Sequence, residues 1–108
     1  MLSYMDREVR DNPDRSRYEV LVDGKVAGYA LYVLHDERIT VFHTEVDEAY
    51  EGSGLGGLLA RGVLDDVKAR GLAVEPLCPF LAGYIRRHRD EFLEFVIPDM
   101  REEVIIGG

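Results

Sequence analysis

Between Val46 and Leu58 the chain changes its hydrophobic period, and the glycine-dense string Glu51-Gly52-Ser53-Gly54-Leu55-Gly56-Gly57 lies at that change. Before it, apolar residues tend to recur at every second position. After it, Leu55, Leu58, Leu59, Val63, Leu64 and Val67 fall at helical spacing, with Arg61, Asp65, Lys68 and Arg70 opposite. Strands therefore come first and a helix follows through a loop that has almost no side chains. Glycine has no Cβ, so such a backbone approaches an anion closely and enters left-handed conformations. The helix start behind it offers unpaired N–H groups and positive dipole density. The string reads either as a cradle for a phosphorylated cofactor or as a tight turn that only caps the helix.

A length of 108 residues fits one domain, so any ligand site must be built on a single core. Hydrophobic residues at 46% and charged residues at 31% exclude a disordered chain. Thirteen basic against twenty-one acidic residues give a net charge of −8, which argues against nucleic acid as a partner. That charge still allows an anion site made of amides and suits a cationic second substrate. No apolar run is long enough to cross a bilayer and Met1 to Arg10 has no signal-peptide core, so the sequence reads as cytoplasmic, with no membrane attachment. Cys78 is the single cysteine and excludes an internal disulfide. The three histidines lack zinc spacing, so no metal is implied. Nothing demands a partner chain, and a monomer is expected.

Residues 1–16 read as a loose polar arm with Asn12-Pro13-Asp14 as a turn and only Met5 and Val9 able to pack. The domain proper is expected over residues 17–97. A tail follows over 98–108, in which Val104-Ile105-Ile106 docks or stays mobile. Tyr18, Val20 and Val22 alternate with Glu19, Leu21 and Asp23, and Asp23-Gly24 supplies a primed hairpin turn. Lys25 to Leu34 reads as a strand covered on both faces, with Gly28 marking a bulge or a close contact. In a third strand Ile39, Val41 and His43 alternate with Thr40, Phe42 and Thr44, and His43 and Glu45 share a face. Ser53 is placed to cap the following helix and Gly71 to end it. Leu72 to Leu77 reads as a short strand. Pro79 opens a second helix over Phe80 to His88, with Cys78 at its N-cap and Phe80, Leu81, Tyr84 and Ile85 inward. Phe92 to Ile97 reads as a short last strand.

Gly52-x-Gly54-x-x-Gly57 also satisfies the dinucleotide-binding fingerprint, with Glu75 near the distance of its ribose-binding acid. The context excludes that fold. A dinucleotide loop follows its strand at once within a parallel sheet, whereas here Asp47 to Glu51 intervenes and the preceding strands form a hairpin meander.

The order of strand, glycine loop, helix, strand and helix over residues 39–88 resembles the core of the GNAT superfamily of acyl-CoA N-acyltransferases. Gly54-Leu55-Gly56 fill the last three places of that superfamily's pyrophosphate loop, and Glu51 stands where it has Gln or Arg. His43-Thr44-Glu45-Val46, the Gly52 to Gly57 loop, Leu77-Cys78-Pro79-Phe80 and Tyr84-Ile85-Arg86-Arg87-His88 are similar to blocks of its small single-domain members. Arg17-Tyr18-Glu19 and the Asp23-Gly24 hairpin extend the resemblance to about residues 17 to 95. Arg89 departs from the proline usual in that subgroup.

The resemblance implies a minimal α+β fold, an antiparallel β meander followed by Gly-rich loop, helix, strand and helix, with acetyl-CoA as cosubstrate. It implies that Val46, Glu51, Gly52, Ser53, Gly54, Leu55, Gly56 and Gly57 contact CoA, with the amides of Glu51 to Gly56 on the pyrophosphate. Cys78, Tyr84 and Arg87 would line the rest of its path. The thioester would lie where the strand ending at Val46 splays from Leu72 to Leu77. Tyr84 would protonate the departing thiolate, or pack in the core. Cys78 at a helix N-terminus would accept the acyl group transiently, wall the pocket, or sit as a small buried residue. Glu45 or His43 would take a proton from the amine through water, or face solvent. The implied function is acetyl transfer to an amine, on a small molecule or a protein lysine. The alternative is a CoA-binding or interaction module without turnover, suggested by the lack of the superfamily's usual N-terminal strand and helices.

Overall fold

The alternating half of the chain folds as an antiparallel meander in sequence order. Its strands are β1 (Arg7–Asn12), β2 (Arg17–Val22), β3 (Lys25–His35) and β4 (Arg38–Val46). A fifth strand, β5 (Ala73–Pro76), joins β4 in parallel, giving the sheet order β1-β2-β3-β4-β5. This is a computed structural model and describes residues 6–107. Asp23 and Gly24 both have positive φ, 50° and 82°, the primed turn whose twist matches that of the strands it joins.

The fold is of the α+β class expected. α1 (Leu55–Arg70) covers one face of the sheet and α2 (Pro79–Arg87) packs beside it. Leu55, Leu59, Val63, Leu64 and Val67 of α1 bury against Tyr18, Val20, Ala30, Ile39 and Val41 of the strands. Gly71, at φ 68°, ends the helix with its amide on the Lys68 and Val67 carbonyls. No helix among the described residues is long and apolar enough to cross a membrane.

Four expectations change. Most of the described part of the N-terminal arm is a strand, running beside β2 from Arg7 opposite Val22 to Asn12 opposite Arg17. Its charged side chains hide it from a hydrophobic reading, because Val9 alone supplies its apolar contact with α1. A Cβ added at Gly62 would lie 2.6 Å from Val9. The Tyr32 hydroxyl donates to Asp11 at 2.6 Å and fastens the other end. Met5 lies outside the described residues. Second, Ser53 does not cap α1. Gly54 precedes the helix, and the Ser53 hydroxyl turns back to the Tyr50 carbonyl. Third, Phe92 to Ile97 is not a strand. α3 (Arg89–Phe92) and a 3-10 turn at Leu93–Phe95 carry Phe92 and Val96 into the core, a four-residue spacing that suits helical turns, and only Val96 bridges to Val74. The tail docks through α4 (Arg101–Ile106), with Val104 buried.

Fourth, β4 changes phase. Leu31 lies opposite His43 while Tyr32 lies opposite Val41, which leaves Phe42 as an extra residue in a β-bulge. Residues opposed across an antiparallel pair share a face. Val41 therefore sits with Tyr32 and Thr44 with Ala30, on the side of α1. His43 is carried with Leu31, and Glu45 with Tyr29, to the other face. Strict alternation had put Val41 and His43 together; one inserted residue separates them. That far face also holds Glu19, 1% exposed, beneath Arg17, Asn12 and Arg10, whose donors lie 2.8, 3.1 and 3.2 Å from its carboxylate. Burial pushes its pKa up, and those three hydrogen bonds outweigh it and hold the carboxyl below its usual range.

Candidate active site

The sheet opens at one end. β5 meets β4 over Arg38–Val41, and the amides of Leu77 and Cys78 both close on the Val41 carbonyl, at 2.9 and 3.2 Å. Beyond that point β4 continues to Val46 with no strand on its outer edge among the described residues. The chain then turns through a 3-10 segment, Glu48–Tyr50, capped by the Asp47 carboxylate on the Ala49 amide at 3.0 Å. Two left-handed residues follow, Gly52 at φ 81° and Gly54 at φ 86°, and a Cβ on either would meet nothing within 4 Å.

The turns decide which amides remain available. Glu51 donates to the Glu48 carbonyl at 3.1 Å and Ser53 to that of Tyr50 at 3.0 Å, so both are already used. The first bond of α1 runs from Leu58 to Gly54. Among the described residues, the amides of Gly52, Gly54, Leu55, Gly56 and Gly57 have no acceptor. They stand at the positive end of a sixteen-residue helix.

Those amides adjoin a cavity of about 340 Å³ between the end of β4, the loop and the first turn of α2. Thr44, Glu45 and Val46 form one wall, Gly54 to Gly56 and Leu59 another, and Phe80 a third. Phe80, expected in the core, is 40% exposed instead. Its ring end lies over Gly56, where an added Cβ would come within 2.9 Å. On the β4 wall of the cavity the Thr44 hydroxyl lies 3.1 Å from the Cys78 sulfur, linking β4 to the residue that caps α2. Cys78 occupies the N-cap of α2 as expected and is 5% exposed. Its hydrogen-bond partner is this hydroxyl; no imidazole or carboxylate among the described residues bonds to it.

A meander, a glycine loop opening a helix, and a strand that diverges from its neighbour are together the order of one known family. The sequence profile of the GCN5-related N-acetyl-transferases matches residues 17–95. The chain belongs to that family. A solved structure of similar fold is the ribosomal-protein-S18-alanine N-acetyltransferase from Escherichia coli, with a TM-score of 0.52 and 28% identity. The likeness covers 56% of this chain and 39% of that enzyme, so the chain answers to well under half of it. No curated protein matches the chain.

Within this GCN5-related domain the expected site residues separate into two groups. Val46, Glu51, Gly52, Gly54, Leu55 and Gly56 border the cavity; Gly57 follows in the helix, and Ser53 sits between them with its amide and hydroxyl turned inward. Cys78 meets the cavity through Thr44. Glu45 borders the cavity too, though its carboxylate turns to the opposite face, and the remaining three stand apart. Tyr84 is buried against Gly57 and stacked on His88 at 4.1 Å, with its hydroxyl oxygen accepting from Arg61 Nε at 3.0 Å. Arg87 is exposed, one turn beyond Gly83 on α2. His43 Nε2 lies 3.0 Å from Glu45 Oε1, which also accepts from the Tyr29 hydroxyl at 3.1 Å, all on the face away from Cys78. His43 and then Tyr29 hold the Glu45 carboxyl below its usual range.

Thr44, Leu59 and Phe80, which line the cavity, and Arg61 beside Tyr84 carry no site role in the sequence reading. Helical spacing puts Arg61 opposite the apolar stripe of α1, yet it pairs with Glu91 at 2.7 and 3.0 Å and lies over Phe92, binding α1 to the segment after α2. Its position four residues after Gly57, on the stripe that meets Tyr84, was the available signal.

Proposed function

We propose that this domain binds acetyl-CoA and transfers its acetyl group to an amine. The supporting observation is the row of five unclaimed amides in the glycine loop and the start of α1, beside a cavity that the unpaired end of β4 also lines. A pyrophosphate suits such amides, which need no counter-charge, and the open Cβ positions of Gly52 and Gly54 let it approach. Arg7 adds a positive charge, its Nη1 reaching the Ser53 carbonyl at 3.2 Å, while Asp47, Glu48 and Glu51 act against the anion from the rim. The free edge of β4 offers main-chain partners to an extended, amide-bearing arm.

Acetyl-CoA would supply the activated acyl group; the chain would hold, enclose and proton-manage it. In this reading Cys78 is a wall of the acyl end rather than a nucleophile, because its partner is a hydroxyl and not a base. Tyr84 supplies the acid. Arg61 occupies its oxygen, and its own proton has no acceptor among the described residues. Glu45 with His43 serves the amine through water from the open face of the sheet.

A second reading, a CoA-binding module without turnover, has one observation in its favour: Tyr84, His43 and the Arg87 side chain all lie off the cavity. Melting curves with and without CoA, beside thiol release from acetyl-CoA with a panel of amines, separate the two. Stabilisation with amine-dependent release is the expected result. Stabilisation without release by any amine supports the module, and no stabilisation at millimolar CoA overturns both readings.

A further inference from the structure

Thr44 lines the cavity on the β4 side, and its hydroxyl lies 3.1 Å from the sulfur of the buried Cys78. Around that contact the chain is core: Cys78 is itself buried, as are Val41, whose carbonyl accepts from the Cys78 amide, and Leu81, three residues on in α2. Cores packed to this density do not yield to an inserted methylene without displacing a neighbour. Both partners are also fixed through the backbone. Thr44 is held opposite Ala30 in the sheet, and the Cys78 amide is tied to the Val41 carbonyl. With phosphates at the loop amides, the acyl end of a CoA thioester is the part that reaches this wall.

We infer that the Thr44–Cys78 contact sets acyl length, so that the site takes acetyl and rejects propionyl and longer groups. The inference rests on the CoA reading above and adds the residues that would make it selective. A longer chain would have to part the sulfur from the hydroxyl or push Cys78 out of the cap of α2. Cys78→Gly removes the wall at an N-cap position where glycine is well tolerated. Cys78→Ser keeps a wall and a hydrogen bond to Thr44.

The test is calorimetric titration with CoA and with thioether analogues of acetyl-, propionyl- and butyryl-CoA, which cannot be consumed. The wild type is expected to bind the butyryl analogue about tenfold or more weaker than the acetyl one, the scale of a misfitted methylene in a closed pocket. Cys78→Gly should narrow that ratio to within about threefold, while Cys78→Ser should keep it. Where Cys78→Gly does not fold, Thr44→Ala is titrated in its place with the same expectation. Equal binding of all analogues by a wild type that binds CoA overturns the inference alone. A ratio unchanged in Cys78→Gly, or in Thr44→Ala where that stands in, overturns it too. A wild type that does not bind CoA overturns the CoA reading, and this inference with it.

Discussion

Gly62→Ala tests the N-terminal strand by the sign of its effect. Gly62 lies in the middle of α1, where alanine in place of glycine ordinarily stabilises a helix by about 1 kcal/mol. If the segment before Arg17 were a loose arm, that gain would appear in full. In the structure the new Cβ would sit 2.6 Å from Val9 Cβ and Cγ1 and 2.9 Å from Cγ2. Comfortable carbon contacts begin near 3.5 Å, so roughly 1 Å of movement is needed. The movement falls on β1, an edge strand held by β2 on one side only. It strains the Tyr32–Asp11 and Arg70–Asp11 contacts along with it. Overpacking of this kind costs about 1–3 kcal/mol, so the net expectation is a loss of about 1 kcal/mol. Urea unfolding reads the difference, and a melting point lower by about 4 °C should accompany it. Adding Val9→Gly removes the three atoms nearest the new methyl, so the pair should couple favourably in a double-mutant cycle. A Gly62→Ala protein more stable than wild type by about 1 kcal/mol would refute the packing of β1 on α1.

Gly54→Val places a β-branched residue at φ 86° and should weaken CoA binding at least about tenfold, measured by titration, while leaving the helix content intact. Cys78→Ala should retain thiol release within a few-fold; loss of all turnover with CoA binding preserved would restore the nucleophile. Glu19 has its folded pKa lowered below 4.5, so its contribution is complete above that pH and is lost as pH falls through the lower folded value. Glu19→Gln should therefore flatten the acid limb of stability against pH in urea titrations, and an unchanged acid limb would count against the Arg10–Arg17–Asn12 clasp. Arg61→Gln should lower stability by more than an isolated surface pair would, because it gives up the paired bonds to Glu91, the bond to the Tyr84 oxygen and the place over Phe92; urea unfolding reads the loss, and no measurable loss would count against this bridge.

What the sequence revealed followed from periodicity and punctuation. β2 to β5, α1 and α2 all stand within a residue or two of their expected places, because alternation, Asp23-Gly24, Gly71 and Pro79 each act locally. β1 was missed since five of its six side chains are polar and its register depends on Val22 to Arg17, a partner that no local pattern announces. The same limit governed the site. The glycine loop was legible because its chemistry is in its own backbone, but which of its amides stay free depends on the turns at Glu48 and Tyr50. The pairing of Thr44 with Cys78 spans thirty-four residues and could not be read from either neighbourhood.

Phe42 has a consequence for how this strand can change over time. Because it sits as the extra member of β4, everything after it is out of step with everything before it. Substitution along 43–46 exchanges one side chain for another on the same surface. Loss of a single residue at the bulge would instead turn that stretch over, bringing an imidazole and a carboxylate toward the helices and sending the threonine that meets Cys78 outward. Length, more than composition, is what this segment has to conserve.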